Sequence, residues 1–103
     1  MIKTIQERIS KIDAYFRNSG EITSEREHVY ARTIKLNEEV GELCEALLHE
    51  YNPHQRKKEK EMNLDAELAD VIICALLIAE GREKNIWAEV DKKLAKQLQR
   101  FNI

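Results

Sequence analysis

The sequence has few residues that break helices and few that form crosslinks. Its 103 residues include three glycines, one proline and two cysteines. This scarcity, in a chain dominated by Ala, Leu, Ile, Glu and Lys, favours long helices over a β-rich fold. Cys44 and Cys74 lie in apolar helical contexts without CxxC spacing. They predict reduced thiols in a cytoplasmic protein, and neither a zinc site nor a disulfide framework.

The sequence also lacks a long apolar run and an excess of charge of one sign. Its longest apolar run, Val71 to Ala79, is far shorter than the roughly 20 residues of a membrane-spanning helix. Residues 1–7 alternate apolar and charged side chains and contain no signal-peptide core. Seventeen basic and nineteen acidic residues give a formal charge of −2. We therefore expect no membrane and no nucleic acid polymer as a partner.

Apolar residues at intervals of three and four predict two helices in the first half of the chain. The first carries the stripe Ile2, Ile5, Ile9, Ile12 and Phe16, and it stops at Asn18-Ser19-Gly20, where glycine accepts a left-handed conformation. The second follows Ser24-Glu25-Arg26-Glu27, which has capping-box spacing, and extends to about Glu50. A heptad-like seam on it predicts packing against another helix. The members of this seam are Val29, Thr33, Leu36, Val40, Leu43 and Leu47.

Two further helices are expected after a break at Tyr51-Asn52-Pro53-His54. The third begins either at Asn52-Pro53, ahead of the charged run 55–61, or only at Asn63. It is helical from Leu64 to Glu80, and Gly81 closes it. A fourth helix, capped by Asn85, carries Ile86, Trp87, Val90, Leu94, Leu98 and Phe101 on one side. These elements predict an all-α, four-helix bundle-like domain that spans residues 1–103.

The third helix is apolar on every side between Val71 and Ala79. A helix of this kind needs burial around its whole circumference. Three other helices of a 103-residue chain could hardly surround it. We therefore expect a homo-oligomer, either a dimer or a tetramer, that buries the remaining surface.

Two pairs of acidic residues are the strongest chemical signal. Glu39 and Glu42 are three residues apart on the second helix, and Glu67 and Asp70 have the same spacing on the third. Each pair projects from one helix face, about one turn apart. If the two helices pack antiparallel, the four carboxylates converge and must either protonate or bind cations. Oxygen ligands of this type favour Mg²⁺, and Mn²⁺ can substitute.

The second helix also allows a plainer interpretation. Lys35 can pair with Glu39 at i,i+4 and leave an ordinary charged surface. Gly41, inside the same helix, costs roughly 1 kcal/mol relative to alanine. Its role is either close approach by another helix or room for a metal or phosphate beside Glu42.

The acidic residues fall in a pattern that resembles a known family. Glu38-Glu39-Val40-Gly41-Glu42, a spacer, and Glu67-Leu68-Ala69-Asp70 are similar to the E-E-x-x-E and E-x-x-D motifs of the MazG-like, all-α nucleoside triphosphate pyrophosphatases. A third element, K-x-x-x-N-x-x-R, is matched by Lys93, Gln97 and Arg100, although glutamine replaces the usual asparagine. The resemblance extends from the second helix to the fourth, and the order and spacing of the motifs make it fairly specific.

The resemblance implies Mg²⁺-dependent hydrolysis of a nucleoside triphosphate to a monophosphate and pyrophosphate. It further implies a deoxynucleoside triphosphate as the substrate and a role in clearing surplus or non-standard nucleotides. It implies that Glu39, Glu42, Glu67 and Asp70 bind the metal. Glu38 would be a further ligand or would orient the attacking water. Lys93 and Arg100 would contact phosphates. Gln97, Phe16, His28 and Tyr30 are the remaining candidates for substrate contact.

Two alternative functions remain open at this point. Phosphoribosyl-ATP pyrophosphatase of histidine biosynthesis has a similar size and similar acidic motifs, but the K-x-x-x-Q-x-x-R element favours the MazG-like branch. A non-catalytic helical interaction module would also explain the heptad-like seam and the apolar third helix. It would not explain why acidic residues that repel one another are paired on two helices.

Overall fold

The computed structural model describes residues 1–20, 24–51 and 63–103, which form four α-helices and no strand. The helices are α1 (Ile2–Arg17), α2 (Glu25–Tyr51), α3 (Leu64–Gly81) and α4 (Ile86–Phe101). The prediction of an all-α fold with four helices is confirmed. The charged run 55–61 and the alternative helix start at Asn52-Pro53 lie outside the described residues.

Local sequence signals account for the helix ends. The side-chain oxygens of Ser24, Asn63 and Asn85 each accept a hydrogen bond from the backbone N–H three residues later, at 3.2, 3.0 and 3.3 Å. Each bond satisfies an amide that the first helical turn leaves without a partner. Gly20, after α1, has a φ of +80°, which glycine adopts without strain. The starts of α2, α3 and α4 therefore follow from capping residues that the sequence shows.

The hydrophobic core is small and lies between α1 and α3. Ile9 of α1 is buried with Leu76 and Leu77 of α3, and Ile5, Ile86 and Trp87 pack against them. The most extensive helix–helix packing joins α2 to α3. The two acidic motifs lie on this pair of helices, so the packing of α2 on α3 determines their relative placement.

The buried face of α2 matches only in part the one that its apolar pattern predicts. Two members of the heptad-like seam, Val40 and Leu47, are exposed by 40% and 46%. The residues of α2 that the chain buries are His28, Arg32, Glu39 and Ala46. Three other members, Val29, Leu36 and Leu43, are half-buried, so the predicted seam packs only in part in the single chain. Arg32 turns inward because its guanidinium pairs with Asp13 of α1.

Large apolar surfaces remain uncovered on α3 and α4. On α3, Leu68 and Ile72 are about half exposed. Beyond Trp87, every residue from Ala88 to Ile103 is exposed, including the apolar stripe of α4. The radius of gyration is 16.8 Å, against about 13 Å for a compact chain of 100 residues. In the single chain, α4 thus contributes little beyond its first turn to the packing of the other helices.

Across the described ranges, no helix has both the length and the apolar character needed to cross a membrane.

Candidate active site

Three carboxylates from α2 and α3 face one another. One oxygen from each of Glu39, Glu67 and Asp70 lies within 4.8 Å of the others. Glu39 is buried, Glu67 is half-buried and Asp70 is exposed, so the group has an inner and an outer side. We refer to these three residues as the acidic centre. The packing of α2 on α3 brings together carboxylates that are 28 or more residues apart in the sequence.

Glu42, the fourth predicted metal ligand, lies beside this centre. Burial raises the pKa of Glu67 above its ordinary value. The negative charges of Glu42 and Asp70 raise it further, because a second charge is disfavoured next to an existing one. Glu39, Glu42 and Asp70 therefore all lie within electrostatic reach of Glu67, and the three members of the acidic centre lie within reach of a single ion.

Lys35 pairs with the acidic motif on α2 but does not satisfy it. Its ammonium lies 3.3 Å from Oε1 of Glu39 and 3.4 Å from Oε2 of Glu38. These two carboxylates raise the pKa of Lys35. Glu38 is exposed and lies outside the acidic centre. The i,i+4 pair of the plainer interpretation thus forms, and Glu39 still turns its other oxygen inward.

The acidic centre fits a divalent cation. Within the described residues, Oε2 of Glu39 and Oε2 of Glu67 are buried and have no hydrogen-bond partner. A buried carboxylate oxygen without a partner is costly, and a cation removes that cost. Carboxylate oxygens are also the hard donors that Mg²⁺ and Mn²⁺ prefer. The donor set and the two orphaned oxygens therefore both fit a divalent cation.

A cavity of about 360 Å³ adjoins the acidic centre. We call it the interhelical cavity, because α1, α2 and α3 all contribute to its walls. Its lining includes Phe16, His28, Ala31, Arg32, Lys35 and Cys74. Two of these residues link it to the acidic centre: Lys35 through its ion pair with Glu39, and Cys74 because it lies one helical turn after Asp70.

The structure separates the predicted substrate contacts into two groups. Phe16 and His28 line the interhelical cavity, whereas Tyr30 is exposed and lies outside its lining. The third element, which comprises Lys93, Gln97 and Arg100, is exposed on α4. Within one chain the structure does not bring it to the acidic centre, and the Arg100 guanidinium lies 5.6 Å from the ring centre of Phe101.

Arg32, in the wall of the cavity, belongs to a buried ion pair that was not predicted from the sequence. Arg32 lines the cavity, and its Nη2 donates to Oδ1 of Asp13 at 2.8 Å. The sequence of α1 does contain a signal for this ion pair. Asp13 follows Ile9 by four residues and precedes Phe16 by three. A charged residue in register with an apolar stripe is rarely buried without a partner.

Comparison with known proteins gives one finding. The model of the MazG nucleotide pyrophosphohydrolase domain matches residues 30–101, more than two thirds of the chain. This match contains both acidic motifs and the Lys93-to-Arg100 element. No curated protein and no solved structure matches the chain.

Proposed function

The chain belongs to the MazG nucleotide pyrophosphohydrolase family, and on this premise we propose that it hydrolyses nucleoside triphosphates to a monophosphate and pyrophosphate with Mg²⁺. Deoxynucleoside triphosphates are the proposed substrates, and clearing nucleotides from the pool is the proposed role. Residues 1–103 are proposed to form a single domain. The predicted cytoplasmic location stays a prediction.

One observation carries the proposal. The carboxylates of Glu39, Glu67 and Asp70 converge from two helices, with two buried oxygens that lack partners, beside a cavity of about 360 Å³. An acidic centre alone repels a triphosphate, so the arrangement suits a phosphate substrate only together with a cation. A helical interaction module has no need of this geometry.

Glu39, Glu67 and Asp70 would hold the cation, and Glu42 would support them from beside Glu67. A bound divalent cation offsets phosphate charge, polarises the phosphorus centre and lowers the pKa of a bound water. This is the chemistry that hydrolysis of a phosphoanhydride requires.

The remaining steps use side chains of the chain itself. Lys35 lies between the acidic centre and the cavity, where its ammonium can contact a phosphate oxygen after exchanging its carboxylate partners. Glu38 is exposed next to Glu39, so its carboxylate can accept a proton from the attacking water. The water oxygen forms a new bond to phosphorus, the α–β anhydride bond breaks, and pyrophosphate leaves. Phe16 and His28 would contact the base inside the cavity.

We further propose that the protein is a homo-oligomer. A groove of about 370 Å³, lined in part by Ile12, Ile72 and Trp87, adjoins the exposed apolar residues of α3. The apolar face of α4 is uncovered as well. A second copy that covers these surfaces would bury the apolar area that a single chain leaves in water. In such an assembly, Lys93, Gln97 and Arg100 of one copy could contact phosphates bound at the acidic centre of the other copy.

The experiment that tests the function measures pyrophosphate release from a panel of nucleoside and deoxynucleoside triphosphates, with phosphoribosyl-ATP included. We expect Mg²⁺-dependent release from the triphosphates, lost in Asp70→Asn and kept in Asp65→Asn, which removes an exposed carboxylate from the same helix. Turnover of phosphoribosyl-ATP alone would favour the histidine-biosynthesis enzyme. If neither Mg²⁺ nor a non-hydrolysable nucleotide binds, the interaction module becomes the better account.

A further inference from the structure

Asp13 is a buried carboxylate held between two arginines. It is only 7% exposed. Its Oδ2 accepts from Nε of Arg17 and its Oδ1 accepts from Nη2 of Arg32, both at 2.8 Å. Desolvating such a group of charges costs free energy that their attraction barely repays, so buried ion pairs are weak evidence for a role in stability. A cluster of this kind beside a cavity therefore calls for another explanation.

Arg32 is fixed from two sides. Asp13 holds one end of its guanidinium, and the guanidinium carbon lies 5.1 Å from the centre of the Phe16 ring. Phe16 follows Asp13 by three residues on α1, so one helix supplies both contacts. Arg32 and Phe16 both line the interhelical cavity. A rotamer-rich side chain is thus restrained in the wall of a binding space before any ligand arrives.

The order of charges along α2 gives the direction of a ligand in this cavity. Arg32, Lys35 and Glu39 lie at successive positions on one face of α2. Glu39 belongs to the acidic centre, Lys35 pairs with it, and Arg32 lies farthest away, next to Phe16. A nucleotide with its phosphates at the acidic centre would therefore place its base near Arg32 and Phe16.

We propose that Asp13 is a positioning residue for the base: it holds the guanidinium of Arg32 against Phe16, so that ring and guanidinium together form the base-binding wall. The aromatic ring offers a stacking surface. The guanidinium offers only hydrogen-bond donors, so it recognises an acceptor atom on the base. This inference rests on the proposed function, because it takes the cavity to be the nucleotide site.

The test compares a nucleoside triphosphate with deoxyribose 5′-triphosphate, which has no base. Asp13→Asn keeps the shape of the side chain and removes its charge. We expect this variant to raise KM for the nucleotide by about tenfold with kcat changed by less than about twofold, because uniform binding is lost. KM for the base-free substrate stays unchanged. If Asp13 had a purely structural role, the substitution would raise KM for both substrates by the same factor.

Two further variants guard against a simple folding defect. Phe16→Leu keeps an apolar side chain and leaves the pair of Asp13 and Arg32 intact, and we expect the same selective rise in KM. Glu80→Gln weakens a different link between α1 and α3, in which Glu80 accepts from Gln6 and Ser10 at 2.6 and 2.7 Å. It should leave the ratio of the two KM values unchanged.

The inference is overturned if both Asp13→Asn and Phe16→Leu leave the nucleotide KM unchanged, or raise the base-free KM equally. Calorimetric binding of a nucleoside monophosphate separates this result from failure of the proposed function. If the wild-type chain binds the monophosphate about tenfold more tightly than Asp13→Asn yet hydrolyses no triphosphate, the base-binding role stands and the hydrolytic function fails. If the wild-type chain binds no monophosphate, the base-binding role is refuted.

Discussion

The Glu39→Gln substitution gives the sharpest test of the acidic centre, because it changes charge and preserves shape. Glu39 is 7% exposed, and its Oε2 is buried without a hydrogen-bond partner among the described residues. Without metal, the variant loses an ion pair to an exposed lysine, which contributes about 0–1 kcal/mol, and it relieves repulsion from Glu67 and Asp70. We therefore expect little change in the stability of the metal-free protein.

With metal, the same substitution should have a large effect. Removing a group that merely supports a metal ligand weakens binding by about 10–100-fold, so loss of a ligand should cost about 100-fold or more. At a Mg²⁺ concentration about 100 times Kd, the wild-type chain gains about 2.7 kcal/mol of stability, whereas the variant gains about 0.4 kcal/mol. For a domain of this size, the difference of about 2 kcal/mol corresponds to about 8–16 °C in Tm.

The assay is thermal unfolding with and without Mg²⁺, at one protein concentration. Glu50→Gln removes an exposed carboxylate from the same helix and should show the full rise in Tm. Glu38→Gln removes the second carboxylate that pairs with Lys35. This variant should keep most of the Mg²⁺-dependent rise in Tm, because Glu38 lies outside the acidic centre. An equal rise in Tm for wild type and Glu39→Gln would refute metal binding by this residue.

Three further outcomes are expected. Gly41→Ala should raise Tm by about 4–8 °C, since a Cβ there meets nothing within 4 Å and alanine is about 1 kcal/mol better in a helix; a lower Tm would instead indicate that another chain packs on this residue. Burial raises the pKa of Glu67. This carboxyl therefore stabilises the metal-free fold at pH values below the ordinary Glu pKa, and its contribution is lost as the pH rises through the raised pKa. When Mg²⁺ binds at a pH near this raised pKa, calorimetry should detect release of the Glu67 proton, and Glu67→Gln should abolish the release. Leu94→Glu should lower the mass measured by sedimentation, whereas Lys96→Glu should not; a monomeric wild-type chain would contradict the proposed oligomer.

The sequence was sufficient for the four helices, because the signals that define them are local. Apolar residues at helical spacing and the capping side chains of Ser24, Asn63 and Asn85 act within a few residues of one another. The acidic motifs were visible for the same reason, since residues three apart on a helix must share a face. The sequence also led us to expect that these paired carboxylates need a cation. The buried Oε2 atoms of Glu39 and Glu67, which have no hydrogen-bond partner among the described residues, are consistent with that expectation.

The sequence could not show which face of α2 turns inward. Its apolar seam predicted Val40 and Leu47 as packing residues, but the chain exposes both of them and buries Arg32 and Glu39 on a neighbouring face. Periodicity reports how apolar a face is, but it does not reveal whether the polar face has an ionic partner on a helix elsewhere in the chain. Tyr30 illustrates the same limit, because its position beside the motif did not make it part of the cavity.

By itself, then, the sequence determined the helices, their caps and the chemistry of the acidic residues, all of which depend on neighbours along one helix. Only the tertiary structure decided that Glu39 meets Glu67 and Asp70, that Asp13 holds Arg32 against Phe16, and that α4 stays uncovered in one chain. These outcomes depend on how separate helices pack, and packing is set by contacts between residues far apart in the sequence.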